Sequence, residues 1–272
     1  MVFLIFTVGK ILYLGGTNMY AETLEKLSNA AFGKKKLIEE SVGKYFLASV
    51  MAGLYVGLGI FLIMTIGGLT KGMGSHFRIF IGLGFGIALS LVLVIGSELF
   101  TGNNMIMTAG LANKKVSLKD TIKVWGTSYI GNLVGSTIVG MLYVFSGVPK
   151  GKVGEFIVAL SKAKMSGDPT SLFFKGVLCN ILVCLAVLAY IKMKSESGKL
   201  IMIFWCLFAF ITSGYEHSIA NMSIFTAGLL LNHGPTVSLA GYGHNMLWVT
   251  LGNVVGGGSI GLVYWYMGRK TK

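Results

Sequence analysis

Two polar segments, GSELFTGNNM at 96–105 and GYEHSIANM at 214–222, are each set inside a long apolar run. In hydrocarbon a helix can break only where the freed amides and carbonyls are buried in protein or line a cavity. A chain with two such breaks must therefore fold so that both are enclosed, which points to a pore or binding site near the bilayer centre. The breaks also hold the only two carboxylates inside apolar runs, Glu98 and Glu216.

Charge is otherwise displaced to the gaps. No charged residue occurs from Tyr45 to Thr70, Ile79 to Ser97, Val124 to Pro149, Gly176 to Ile191, Leu200 to Tyr215 or Ser218 to Gly268. With 54% hydrophobic and 12% charged residues, the chain lies outside soluble composition and reads as an all-α integral membrane protein with six spans, the second and fifth broken. Assigning the gaps to alternate faces gives sixteen basic residues on the face of both termini and seven on the other, so both termini are expected to be cytoplasmic. The formal charge of +13 is then a topology and headgroup signal and needs no nucleic acid partner. Cys179, Cys184 and Cys206 fall within spans, where thiols act as small apolar residues, and no disulfide is expected.

Residues 1–18 carry Lys10 within an apolar stretch and lack a basic n-region and a clear cleavage pattern, so they read as an N-terminal extension, expected to be disordered, rather than a signal peptide. Residues 19–44 read as an amphipathic cytoplasmic helix and 45–272 as the six-span domain.

The breaks resemble each other. Gly96-x-Glu98 matches Gly214-x-Glu216, and Asn104-Met105 matches Asn221-Met222; downstream, Gly131-Asn132-x-x-Gly135 matches Gly252-Asn253-x-x-Gly256. Three spans per half is an odd number, so the halves should lie with opposite orientation, a 3+3 inverted repeat. The glycines serve either close helix packing or a pore. Glu98, Glu216, Asn104 and Asn221 are suited to satisfy the open ends of half-helices and hold the loops rigid.

His217, beside Glu216 in apolar surroundings, is either a core histidine bonded to a loop carbonyl or a functional group that donates a hydrogen bond or proton to a small anion. Leu89, Phe85, Val183, Leu99, Phe100 and Phe210 are ordinary packing residues taken singly; gathered around a pore they would oppose passage of a bare charge. No histidine spacing suggests a metal, and no cofactor is expected.

ELFTGNNM, EHSIANM, the GN-x-x-G repeat and six spans together resemble the formate/nitrite transporter family from about Met19 to the C-terminus. That resemblance implies an aquaporin-like protomer in a homopentamer of the bacterial cytoplasmic membrane, with a substrate pore through each protomer. Carried over position by position, it implies Leu89, Leu99 and Phe100 at a cytoplasmic constriction and Phe85, Val183 and Phe210 at the apolar barriers. It further implies His217 facing a central chamber opposite Thr101, polar contacts from Asn180 and Asn221, and a positive field from Lys164 at the outer vestibule.

The function expected is passive passage of small weak-acid anions. Hydrosulfide (HS⁻) comes first because the sequence resembles the hydrosulfide-channel branch, followed by formate and nitrite. A neutral-solute pore of the aquaporin type would share the repeat, but Pro149, Pro169 and Pro235 all lie outside the breaks, where Asn-Pro-Ala would be expected. An intramembrane enzyme would need a nucleophile with its base, an HExxH motif or a nucleotide loop, and none is present.

Overall fold

The computed structural model describes residues 19–270, and all elements within them are helical. The extension at 1–18 lies outside the described residues. Helix α1 (Met19–Glu40) buries Leu24, Leu27, Ala31 and Ile38, a stripe at helical spacing. Lys34 falls on that same stripe, which carries a charged side chain toward the protein interior. Ser41 separates α1 from α2 (Val42–Thr70), its hydroxyl accepting from the Lys44 N–H at 3.2 Å.

The next 3₁₀ turn, Lys71–His76, reverses the chain into α3 (Phe77–Gly84) and α4 (Gly86–Leu91). Gly59 packs on Ala88 and Gly84 on Ile63, so the second leg runs antiparallel to the first. The 55-residue apolar helical stretch Val42–Gly96 is thus two spans joined by a tight turn. Helix α4 ends in a π turn at Val92–Gly96, the chain is extended at Leu99, and α5 (Phe100–Ala112) resumes as a half-helix.

Helix α6 (Leu118–Phe145) opens on a capping box between Ser117 and Asp120. A second amphipathic helix, α7 (Lys152–Met165), buries Val153, Phe156, Ile157, Ser161 and Met165, and Lys164 lies beside that face. Asp168 caps α8 (Pro169–Lys192), its carboxylate accepting from the Ser171 N–H at 2.9 Å, with Pro169 in the first turn. Helix α9 (Glu196–Ser213) stops at Gly214, the half-helix α10 (Ser218–Leu230) follows, and α11 (Leu239–Gly268) completes the fold. The elements α2, α3–α5, α6, α8, α9–α10 and α11 correspond to the six expected spans. Helices α6, α8, α9 and α11 and the Val42–Gly96 stretch are long and apolar enough to cross a bilayer.

The glycine pairs are close-approach points. A Cβ on Gly135 would overlap the Val50 carbonyl oxygen of α2, and one on Gly256 would overlap the Val177 carbonyl oxygen of α8. Since the obstacle is backbone, no rotamer change relieves it. Gly135→Ala is expected to push α2 and α6 apart and cost about 1–3 kcal/mol, read as an earlier thermal transition of the purified protein; an unchanged transition would show that the crossing is loose.

Candidate functional site

The second break is held from every side. At its start Gly214 takes a left-handed backbone (φ 73°), and the Tyr215 N–H returns to the Phe210 carbonyl at 3.0 Å, closing α9. The Glu216 N–H donates to the Lys175 carbonyl at 3.3 Å. Asn253 then ties three backbone groups: its Nδ2 donates to the carbonyls of Gly176 (2.8 Å) and Glu216 (3.0 Å), and its Oδ1 accepts from the Ser218 N–H (2.9 Å). Glu216 Oε2 accepts from Lys164 Nζ at 2.8 Å and Asn221 Nδ2 at 2.7 Å. Asn245 completes the ring, accepting from Asn221 at 2.9 Å and donating to the Lys164 carbonyl at 2.8 Å.

The first break repeats the pattern. The Glu98 N–H donates to the Ala48 carbonyl at 3.2 Å. Asn132 Nδ2 donates to Ser49 O (2.7 Å) and Glu98 O (2.9 Å), while its Oδ1 accepts from the Phe100 N–H (2.9 Å). Glu98 Oε2 accepts from Lys34 Nζ (2.7 Å), Tyr45 Oη (2.8 Å) and Asn103 Nδ2 (3.2 Å). Helices α1 and α7 take part in the same pattern, each sending one lysine to the carboxylate of a break.

The shared bonds correct one residue. The counterpart of Asn221 is Asn103, five residues after its glutamate, whereas neither polar atom of the Asn104 side chain has a partner among the described residues. One step along a helix turns a side chain by about 100°, and Asn104 packs against Gly257 instead. Asn132, Asn253 and Lys34 are among the residues that sequence reasoning missed, with Asn103, Tyr45 and Asn245. Asn132 and Asn253 stand inside the quoted GN-x-x-G repeat, and Lys34 interrupts an apolar stripe.

Between the breaks the first turns of α5 and α10 meet. His217 is the N-cap of α10: its Nδ1 accepts from the Ala220 N–H at 3.1 Å, and its Nε2 lies 3.0 Å from Thr101 Oγ1 of α5. A ring nitrogen that accepts from an amide carries no proton, so the neutral imidazole bears its hydrogen on Nε2 and donates toward Thr101. The Thr101 carbonyl is gripped in turn by Asn180 Nδ2 (3.2 Å) and Cys184 Sγ (3.6 Å). The positive ends of two half-helix dipoles converge here.

Three cavities follow one another through the protein and share walls. On the α7 side, a cavity of about 360 Å³ is lined by Lys164, Glu216, Asn221, Phe210 and His217, with Arg78 and Lys175. Phe210 and His217 also border a cavity of about 10 Å³, together with Phe85, Leu89, Leu99 and Val183. Leu89 and Leu99 border in turn a cavity of about 40 Å³ on the α1 side, which Lys34 lines. The middle space is near the lower limit for one water, on the order of 10–15 Å³, and apolar groups make up most of its wall.

Most of the residues singled out in the sequence thus meet along one path. Thr101 stands behind His217, Asn180 bonds the Thr101 and Asn253 carbonyls, and neither lines the three cavities. Phe100 turns the other way, its ring edge-on to Tyr129 at 4.9 Å. Cys179, Cys184 and Cys206 are buried free thiols.

A family model described as Formate/nitrite transporter matches residues 21–266. The chain is 44% identical to the nitrite transporter NirC of Escherichia coli (strain K12), over 93% of this chain and 94% of that protein. Among solved structures it resembles an FNT family ion channel, with a TM-score of 0.86 and 42% identity over 90% of this chain and 98% of the other. A pentameric formate channel with formate bound gives a TM-score of 0.77 and 28% identity over 84% and 98% of the two chains. All of these relatives are described as transporters or channels; none is described as an enzyme.

Proposed function

Because the chain belongs to the formate/nitrite transporter family, and is therefore an integral membrane transport protein, we propose that it conducts small monovalent weak-acid anions passively, nitrite first and formate next. The order follows the descriptions of the relatives above. Hydrosulfide, first in the sequence reading, is placed behind them because none of those relatives carries that description. Homopentameric assembly is proposed from the likeness to the pentameric formate channel, and light scattering on the purified complex tests it. Cytoplasmic termini are proposed from the lysine distribution, which puts the α1 side inside.

The observation that carries this reading is the row of cavities whose narrowest member is apolar except for His217. An anion entering it must shed water, and an unpaired charge in such surroundings is costly, so a weak acid that can gain a proton or a hydrogen bond crosses where a permanent ion does not. Lys164 and Lys34 present ammonium donors at the two ends, each held by its glutamate, and Arg78 and Lys175 add the unpaired positive charge at the α7 mouth. His217 acts as a neutral donor. Its Nδ1 is committed to the Ala220 amide, so its Nε2–H is shared between Thr101 and a passing anion.

His217→Phe in proteoliposomes tests the reading. A hydrogen bond to a charged group is worth about 1.5–3 kcal/mol, so nitrite flux is expected to fall roughly ten- to hundredfold. Unchanged flux and unchanged pH dependence would remove His217 from the path.

A further inference from the structure

The wide cavity on the α7 side exceeds what a triatomic anion needs, and at about 360 Å³ it falls in the size range of organic-ligand pockets. Part of its wall is aromatic and aliphatic. Phe77 and Phe156 meet edge to face there, ring centroids 5.8 Å apart and planes at 84°, with Ile81 also on the wall. Such a corner presents a ring face and a ring edge to a third aromatic group.

The polar part of the wall has cations to spare. Of its two carboxylates, Glu216 is taken by Lys164, and Asp168 caps α8. Arg78 and Lys175, both exposed, have no carboxylate within ion-pair distance among the described residues. The Arg78 guanidinium lies over the second break: a Cβ on Gly214 would be 3.8 Å from its Nη1. A planar fork of donors lining the same cavity as an aromatic corner suits a flat ring bearing a carboxylate.

We propose that this cavity is a binding site for aromatic monocarboxylates, with the carboxylate on Arg78, Lys175 adding to the field, and the ring against Phe77 and Phe156. The middle cavity of about 10 Å³ admits no such ring, so the ligand stays in the vestibule and obstructs smaller anions. The obstruction rests on the channel reading above; the binding does not.

Benzoate is the probe. Calorimetry on the purified protein in detergent is expected to show saturable binding that Arg78→Gln weakens about five- to tenfold, Arg78→Lys weakens less, and Ile81→Trp abolishes by filling the space. Benzamide, the uncharged analogue, is expected not to bind. In proteoliposomes, benzoate on the α7 side should slow nitrite entry, and benzoate on the opposite side should not. Absence of saturable binding, equal affinity in Arg78→Gln, or equal binding of benzamide overturns the proposal. Arg78-dependent benzoate binding by a protein that passes no nitrite would uphold this site and overturn the channel reading; nitrite flux without benzoate binding would do the reverse.

Discussion

Asn253→Leu is expected to destabilise the protein by about 2–6 kcal/mol, since it strands the Glu216 carbonyl and the Ser218 N–H, each at about 1–3 kcal/mol when buried without a partner, while the Gly176 carbonyl, inside α8, keeps its helical bond. Leucine is close to asparagine in size, so the loss comes from unpaired backbone rather than an empty space. The folded fraction after detergent extraction and the midpoint of thermal unfolding both report it. Asn132→Leu should fall by a similar amount, because Asn132 makes the same three bonds around Glu98 and Phe100. Either variant lying within about 1 kcal/mol of the parent would mean that water satisfies these groups and that the breaks are not held by the asparagines.

The second large effect concerns the lysine that reaches Glu216. Both side chains are mostly buried, 15% and 7% exposed, and joined at 2.8 Å. Removing one partner of such a pair leaves an uncompensated charge and costs about 3–5 kcal/mol, whereas removing both charges costs far less. Lys164→Met is therefore expected to be strongly destabilising, and Lys164→Met with Glu216→Gln to recover most of the loss; the glutamine keeps an oxygen for Asn221. Thermal unfolding of the two singles and the double, treated as a cycle, gives the coupling. A double variant no better than Lys164→Met alone would place the cost in packing rather than charge. Anion flux separates the roles further: the double should fold yet conduct more slowly, because the Lys164 ammonium no longer lines that mouth, where Arg78 and Lys175 remain.

How far the sequence carried the reading differs from residue to residue. The spans and the breaks were legible, since charge is excluded from hydrocarbon and Glu98 and Glu216 stand out against it. Leu89, Leu99, Phe85, Val183, Phe210 and His217 could be gathered only through the family resemblance, and they do line the narrow middle space. Asn103 and Asn104 could not be told apart, because either aligns with Asn221 once the motif end slips by one residue; the hydrogen bond to the glutamate fixes the register. Phe100 lies one position from Leu99, and the start of a half-helix sends their side chains in different directions. The pairing of Lys34 with Glu98 joins residues 64 apart in sequence, and no local pattern encodes it.

Backbone and supporting bonds are nearly interchangeable between the two breaks, yet Leu99 occupies in one the register that His217 occupies in the other. On the channel reading, which compartment an ion leaves before it meets the imidazole follows from one leucine-for-histidine difference laid on a scaffold that reads alike from both ends. Exchanging the two side chains would move the imidazole of that path to the α1 side of the middle cavity while leaving the asparagine bonds of both breaks in place.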